Sequence, residues 1–299
     1  MSSADLYIIA AGSGSRMHAN VPKALVPITP EPNLTTTLQQ IGHKFGKVFV
    51  VTNVLVQDQW HGYFQKLRAE YPELARMASN VPIQSGLGDG NATLHGVLAA
   101  ERMKDATPSE DIVIAWGDVF FPHAEIIDEL LAPRLQGSGL LPAIRESNPY
   151  VSLLVNERMQ CVSADFSKHG ERHSMGYHDQ SVFRFSLSRL KASLCVLHNA
   201  LWKNGRYITL DGELSLLYSF HHLYNSNDPA YVYETQYPTL SFNTIEEVAA
   251  IQREISTRWR SRFRGHTLEL AVQTGSYRSV ARHGGIQPHR STAASKCPQ

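Results

Sequence analysis

The sequence predicts an α/β fold with a mixed, mostly parallel sheet flanked by helices. The first observation is a set of short, continuous apolar runs, such as residues 6–10 and 111–116, which have the length and composition of strands buried on both faces. The second is that helical segments separate these runs. Strands that alternate with helices at this spacing form parallel sheets covered on both faces.

Each element follows from its local pattern. Apolar and β-branched runs predict strands at 6–10, 47–52, near 81–83 and at 111–116. Helical periodicity and capping residues predict helices at 36–45, capped by Thr35, at 57–67, and from Asn91 to 103.

The pattern changes after Pro142. Short strands at 151–155, 161–164 and 181–185, with little helix between them, predict a β-rich lid over the end of the sheet. Beyond them we expect a helix at 211–222, strands at 230–234 and 239–243, and a helix from a Thr244 cap to about residue 257.

Composition excludes several classes of protein. Lysine and arginine number 28 against 27 acidic residues, so the chain as a whole is no binder of DNA or of anionic membranes. Cys161, Cys195 and Cys297 lie far apart, which argues against a disulfide framework and for a reducing compartment. We expect no signal peptide and no membrane span, and we predict a cytoplasmic location.

Charge is concentrated at one end of the chain. Residues 256–299 hold eight basic residues and one acidic residue, while the remainder is acidic. We therefore expect one folded domain over residues 1–257 and a basic, partly disordered tail over 258–299. Contact with an acidic partner or a neighbouring subunit is the functional alternative for the tail, and a homo-oligomer stays open.

The strongest chemical signal follows the first strand. Ala11, Gly12 and Gly14 form a glycine loop whose backbone N–H groups suit an anion, and Arg16 and Lys23 add positive charge for a polyphosphate. No Gly-Lys-Ser/Thr follows, so the loop is not a Walker A loop. Met17 replaces the third glycine of a dinucleotide-binding loop.

Two further loops stand at predicted strand ends. One contains Gly88, Asp89 and Gly90, and the other contains Gly117 and Asp118. Because parallel strands present their carboxyl ends at one edge, where α/β proteins bind ligands, the three loops should converge on one crevice.

These segments together resemble the nucleotidyltransferases that make nucleotide sugars, the NDP-sugar pyrophosphorylases. They resemble in particular the uridylyltransferase domain of N-acetylglucosamine-1-phosphate uridylyltransferases. The resemblance is carried by Gly12-x-Gly14-x-Arg16-Met17 with Pro22-Lys23, by residues 88–92 and 116–119, and by Ser241-Phe242-Asn243-Thr244, and it covers about residues 4–255. The resemblance implies a Rossmann-like, GT-A-like nucleotidyltransferase fold whose β-rich lid covers the acceptor.

The resemblance also implies roles for individual residues. It makes Arg16 and Lys23 catalytic, and makes Asp118 and Asn243 the ligands of one Mg²⁺. Alone, Asp118 fits a turn residue equally well and Asn243 fits a helix cap better. Nucleotide contacts fall on Ala11, Gly12, Gly14, Gln84, Gly88, Asp89 and Gly90, and acceptor contacts on Asn148, Asp165 and Gln180.

The implied reaction joins a nucleoside triphosphate, with UTP favoured, to a sugar 1-phosphate and releases pyrophosphate. Segments near the acceptor depart from the family pattern, so a cytidylyltransferase acting on another phosphorylated sugar or alcohol is an alternative. A regulatory protein that binds nucleotide sugars without catalysis is an alternative of another class. Retention of Arg16, Lys23, Asp118 and Asn243 together argues against it.

Overall fold

The computed structural model describes residues 4–12, 21–84, 87–104, 107–132, 137–167, 170 and 173–262, with side chains to residue 257. Contacts divide the chain into two units, Met1–Arg258 and Trp259–Gln299. The side chains of the predicted basic tail, like Gly14 and Arg16 of the first loop, lie outside the described residues.

The larger unit is built on a ten-stranded sheet, with strands labelled in chain order. The path across the sheet runs through β3 (Ala78–Ile83), β2 (Val48–Asn53), β1 (Asp5–Ile9), β4 (Asp111–Trp116), β10 (Val182–Ser186), β6 (Gly139–Glu146), β9 (Gly176–Asp179), β7 (Val151–Val155) and β8 (Cys161–Phe166), and β13 (Ala230–Glu234) pairs with β6.

The sheet is mixed, as predicted. Strands β1 to β4 are mutually parallel, and β1 lies between β2 and β4. Strand β10 runs antiparallel to its neighbours β4 and β6. Two small ribbons complete the strands: β5 (Val119–Phe120) pairs with β14 (Leu240–Ser241), and β11 (Trp202–Lys203) pairs with β12 (Arg206–Tyr207). The strands expected in a lid at 151–155, 161–164 and 181–185 continue the main sheet.

Helices cover both faces of the sheet because the side chains of each strand alternate between faces. The helices are α1 (Asn33–Ile41), α2 (Gln57–Glu70), α3 (Pro72–Met77), α4 (Asp89–Ala100), α5 (Glu125–Leu131), α6 (Leu187–Leu201), α7 (Tyr218–Asn225) and α8 (Ile245–Arg262). Tyr7 and Ile9 face the core under α4, α6 and α7, whereas Leu6 and Ile8 face the core under α1, α2, α3 and α5. Within the described residues, no helix has both the length and the apolar character needed to cross a membrane.

After Pro142 one predicted helix has the wrong bounds and one helix was not predicted. The helix expected at 211–222 begins only at Tyr218, because Leu214 donates its backbone N–H to Leu87 (2.8 Å) and the Asp211 carboxylate accepts the N–H of Glu213 (3.2 Å). These bonds hold the segment as an irregular loop. The long helix α6 was not expected, although Ser186 caps its first turn and its buried leucines have helical spacing.

Capping residues were predicted with mixed success. Helix α1 begins at Asn33, and Thr35 instead bonds the Tyr63 hydroxyl (3.1 Å) inside the core. Helix α4 begins at Asp89, and the buried Asn91 side chain donates to the Tyr207 hydroxyl (2.7 Å). Thr244 does cap α8, since its hydroxyl accepts the N–H of Glu247 (3.2 Å).

One ion pair between buried Arg184 and half-buried Asp111 joins three elements of the larger unit. Arg184 on β10 donates from Nε and Nη2 to the two carboxylate oxygens of Asp111 on β4, at 2.9 and 2.6 Å. Its Nη1 also donates to the carbonyls of Leu130 and Leu131 at the end of α5, at 2.9 and 3.2 Å. The guanidinium therefore satisfies both a carboxylate and the free carbonyls of a helix end.

We expect Arg184→Met to lower the free energy of unfolding by about 2–3 kcal/mol, because methionine retains the apolar stem but leaves the carboxylate and the helix carbonyls unpaired. Denaturant unfolding measures the loss. Lys191→Met, which removes an exposed pair with Glu101, is the matched control and should change stability by under about 1 kcal/mol. Equal losses in the two variants would contradict the structural role of Arg184.

Candidate active site

A cleft lies where the parallel strands β1 and β4 end. Its volume is about 460 Å³, in the range of small-molecule sites. The first loop, the turn after β4 and the segment after β14 meet there, so chain segments far apart in sequence share one cavity. Its walls include Ala11, Gly12, Lys23, Gly88, Asp89, Trp116, Asp118, Tyr150, Phe166, His178, Asp179, Ser181, Asp211, Glu213, Ser215 and Asn243.

A cluster of three polar side chains occupies one wall. The ammonium of Lys23 donates to Asp118 Oδ2 at 2.8 Å and to Asn243 Oδ1 at 2.7 Å. These residues are 95 and 220 positions from Lys23 in the sequence, so only the fold brings them together. The Lys23 ammonium thus bridges the two oxygens that the family resemblance assigns to a metal ion.

The turn that carries Asp118 is tightly enclosed. Gly117 donates its N–H to the carbonyl of Ile9 at 2.9 Å, which joins the ends of β4 and β1. A Cβ atom on Gly117 would lie 3.0 Å from the Cβ of Ala10 and 3.1 Å from that of Ala24. The close approach of two neighbouring segments therefore favours glycine here, because any side chain would have to push those segments away by a few tenths of an ångström.

A buried asparagine that the sequence analysis missed holds the same turn. Asn33, at the start of α1, donates from Nδ2 to the carbonyls of Gly117 (3.1 Å) and Val119 (2.9 Å). These two residues flank Asp118, so one amide fixes the backbone on both sides of the carboxylate. No local pattern identifies Asn33, because its partners are more than 80 residues away.

The Asn243 side chain reaches the cleft because hydrogen bonds fix the backbone on both sides of this residue. Phe242 donates its N–H to the carbonyl of Asp118 (3.1 Å), and the Glu247 carboxylate accepts the backbone N–H groups of Asn243 and Thr244. The reciprocal bonds between Thr244 and Glu247 form a capping box. Thr244 therefore caps α8, and the Asn243 side chain faces Lys23.

The first loop is held by a second buried amide. Asn53, at the end of β2, donates from Nδ2 to the carbonyl of Ala11 at 3.2 Å. This bond orients the backbone of Ala11 and Gly12, both of which line the cleft as predicted.

The second glycine loop packs against the chain itself. Gly88 has φ of 101°, and a Cβ atom there would overlap the carbonyl oxygen of Leu214. The Asp89 carboxylate accepts N–H groups from Gly90 (2.7 Å) and Leu216 (2.8 Å). Gly88 and Asp89 line the cleft, while Gly90 does not appear among its walls.

Comparison with known families decides the classification. The family described as the MobA-like NTP transferase domain matches residues 6–182, which is more than half of the chain. The chain belongs to this family. The predicted resemblance to nucleotidyltransferases is therefore confirmed, and the matched range contains the first loop, Lys23, the second glycine loop and Asp118.

Curated relatives of this NTP transferase include two proteins named bifunctional protein GlmU. The one from Ruegeria sp. (strain TM1040) is 29% identical over 145 residues, covering 48% of this chain and 29% of the relative. The one from Bradyrhizobium sp. (strain ORS 278) is 32% identical over 136 residues, covering 44% and 27%. The chain thus spans less than a third of the length of these relatives.

Solved structures show the same fold at low identity. HddC from Yersinia pseudotuberculosis, complexed with GMP-PN, has a TM-score of 0.59 and 13% identity, covering 84% of this chain and 99% of HddC. The nucleoside-diphosphate-sugar pyrophosphorylase from Vibrio cholerae RC9 has a TM-score of 0.60 and 11% identity, covering 83% and 99%. These likenesses establish the fold of this NTP transferase.

The residues predicted to contact the acceptor are not walls of the cleft. Gln180 is buried and accepts the N–H of Thr239 at 2.9 Å, away from the cavity. Asp165 pairs with His173 (2.7 Å), and Asn148 lies in an exposed turn with φ of 50°. Gln84, predicted to contact the base, is exposed after β3.

Asp179 takes the place expected for Gln180. Gln180 follows the end of β9, and its side-chain amide is bonded away from the cavity, since it donates to the carbonyl of His178 (3.1 Å) and accepts from Thr239. Asp179 is buried, accepts the N–H of Ser181 (2.8 Å) and lines the cavity. Burial raises the pKa of its carboxyl group above the ordinary value, although nearby His178 acts in the opposite direction.

We expect Asn33→Ala to lower kcat/KM for pyrophosphate release by about tenfold or more, because the turn that carries Asp118 loses both of its side-chain bonds. Asn53→Ala is the matched control, since it removes a buried amide from the first loop instead of from this turn. The two variants are compared by steady-state kinetics at varied concentrations of the divalent metal that the resemblance implies for Asp118. Only Asn33→Ala should raise the metal concentration needed for half-maximal rate, and a shift shared by both variants would contradict the positioning role.

We expect Asp179→Asn to raise the melting temperature at pH 8 and to leave it nearly unchanged near pH 4. A carboxyl group whose folded-state pKa is raised contributes full stability below its unfolded pKa and loses that contribution as pH rises through the folded value. Asparagine stays neutral and can still accept the Ser181 N–H. Thermal unfolding at the two pH values tests this, and a variant that melts below the wild type at pH 8 would contradict it.

Proposed function

We propose that this NTP transferase is a divalent-cation-dependent enzyme that transfers a nucleoside monophosphate from a nucleoside triphosphate to a phosphorylated sugar and releases pyrophosphate. The observation that carries the proposal is the cluster of Lys23, Asp118 and Asn243 beside the Ala11–Gly12 backbone. A basic group and two oxygen ligands beside an anion-binding loop are the parts that phosphoryl transfer requires.

The residues present fit Mg²⁺. Asp118 Oδ2 and Asn243 Oδ1 are hard oxygen donors, and each lies within 2.8 Å of the same Lys23 nitrogen, so one ion can reach both. No cluster of three His, Cys, Asp or Glu side chains suited to a metal occurs in the part of the chain that the structure describes. One carboxylate with substrate phosphates is the usual set for Mg²⁺, whereas three or four protein ligands are typical of zinc.

In the proposed mechanism the chain positions two phosphates rather than supplying an acid or base. An oxygen of the acceptor phosphate attacks the α-phosphorus, the bond to the β-phosphate oxygen breaks, and pyrophosphate leaves with that electron pair. The backbone of Gly12 orients the triphosphate, and Lys23 donates hydrogen bonds to its oxygens as negative charge develops. Mg²⁺ held by Asp118 and Asn243 would neutralise charge on the phosphates. Arg16 is proposed to add a second positive charge.

The lining of the cleft also supports a polar, hydroxyl-rich ligand. Asp179, Ser181, Asp211 and Glu213 provide hydrogen-bonding groups, and Tyr150 provides an aromatic one. Sugars are bound in this manner, by acidic side chains that accept from hydroxyl groups and by aromatic surfaces.

UTP with a sugar 1-phosphate is our first choice of substrates, because four segments resemble the uridylyltransferases. CTP with another phosphorylated sugar or alcohol is the alternative within the same class. A cytoplasmic location stays a prediction, as does the assignment of Gln84 to the base.

Pyrophosphate release tests the proposal. The protein is incubated with Mg²⁺, each of the four ribonucleoside triphosphates, and a panel of sugar 1-phosphates and amino-alcohol phosphates. Release with one pair identifies the base and the acceptor, and Asp118→Asn should abolish it. Nucleotide binding in calorimetry without release from any pair would favour the non-catalytic regulatory protein. Absence of binding would contradict the role of the first loop.

We expect Lys23→Ala to lower kcat/KM by about 10²-fold or more, by analogy with the loss of one preorganised donor to a transition state. Lys44→Ala, which removes a partly covered ammonium paired with Asp128 (2.6 Å), is the matched control and should leave kcat/KM unchanged. Steady-state pyrophosphate release measures both. A fully active Lys23→Ala variant would contradict the catalytic assignment.

A further inference from the structure

The position of Lys23 has a consequence for how a metal binds. Its ammonium donates to Asp118 Oδ2 and Asn243 Oδ1 at 2.8 and 2.7 Å, and its side chain is only 15% exposed. A protonated lysine has three donors and no acceptor, so it cannot itself bind a metal. The same two oxygens that would hold a divalent cation are therefore bonded to a cation that the chain supplies.

We propose that Lys23 and the divalent cation compete for Asp118 and Asn243, so that the metal binds tightly only together with the nucleotide. The proposal rests on the proposed function of this site. It gives Lys23 a second role: before the nucleotide arrives the ammonium occupies the cation position, and afterwards it binds phosphate.

Charge makes the two states mutually exclusive. A divalent ion on Asp118 would stand within a few ångströms of an ammonium bonded to the same carboxylate, and such like charges repel strongly at the edge of a protein. Asp118 is the carboxylate to which Lys23 donates, whereas Glu247, Asp89 and Asp179 accept backbone N–H groups. The ammonium and a divalent ion would therefore share the same carboxylate and the same amide.

A bound triphosphate would end the competition, because its oxygens can bind the metal and the Lys23 ammonium at the same time. The chain offers one carboxylate and one amide to the metal, so phosphate oxygens and water must complete its shell. The same phosphates provide the Lys23 ammonium with a partner of higher charge than Asp118. A triphosphate therefore adds ligands for the metal and also removes the competing cation.

The exchange requires movement of one side chain only. Lys23 lies in a 3₁₀ turn that spans Lys23–Leu25, and the following Ala24 is 2% exposed and packs beside Gly117. The backbone is therefore fixed in the core. The four-carbon stem of lysine can change rotamer on this fixed base and carry the ammonium from Asp118 to a phosphate.

The test measures Mn²⁺ binding to the full chain without nucleotide, by the electron paramagnetic resonance signal of free Mn²⁺. We expect Lys23→Met to bind one Mn²⁺ at least about tenfold more tightly than the wild type, because a competitor that holds the site nine-tenths of the time weakens apparent affinity tenfold. We expect the wild type to gain comparable affinity when a non-hydrolysable nucleoside triphosphate analogue is added. Lys23→Gln, which also lacks the charge, provides a second variant should Lys23→Met fail to fold.

Two controls locate the effect. Lys44→Met removes the same charge from a pair outside the cleft and should bind Mn²⁺ as the wild type does. Adding Asp118→Asn to Lys23→Met should abolish the gain. Equal or weaker Mn²⁺ affinity in both folded Lys23 variants would overturn the competition, whatever the activity assay shows. Tighter affinity in a chain that never releases pyrophosphate would instead support the competition and refute the proposed reaction.

Discussion

The parallel pairing of β1 with both of its neighbours is the constraint on which the rest of the structure depends. Strand β1 is buried along its length and lies between β2 and β4, so all three strands end at one edge of the sheet. The segments that leave these strands must turn there, and they bond to one another: Gly117 to Ile9, and Asn53 to Ala11. A cleft at this edge is therefore a direct result of strand direction, and the chemistry of those few turn residues decides what the cleft can bind.

The turns themselves are held by buried side-chain amides rather than by further secondary structure. Asn33 spans the two sides of the Asp118 turn, and Asn53 holds the first loop. Burying an amide is favourable only where its groups are bonded, and the Nδ2 groups of both side chains donate to backbone carbonyls. The backbone on both sides of one carboxylate is therefore fixed by a side chain from another element of the fold.

Local pattern was sufficient for the parallel strands β1 to β4 and for the residues directly at their ends, whereas β6 and β9 of the same sheet were not predicted. The runs before Ala11 and Asp118 are continuous and apolar, and such runs specify both the strand and the place where it stops. Two kinds of feature could not be predicted. Asn33 acts on residues far away in sequence, which no local pattern encodes. The choice between Asp179 and Gln180 depends on the bonds that hold the Gln180 amide to His178 and to Thr239, and Thr239 is 59 positions away in the sequence.

The second glycine loop lies at the cleft as the sequence predicted, but the reason for its glycine and aspartate is packing against another segment of the chain. Gly88 is required because Leu214 approaches its backbone, and Asp89 bonds Leu216, so this loop and the segment at 211–216 form one packed unit. That segment lies outside the family match at 6–182, yet it supplies Asp211 and Glu213 to the cleft. The family match therefore includes the first loop, Lys23 and Asp118, whereas Asn243, Asp211 and Glu213 come from sequence beyond it. A change within the segment at 211–216 can alter the lining of the cleft and leave the bonds from Lys23 to Asp118 and Asn243 in place, because none of the residues of that segment takes part in those bonds.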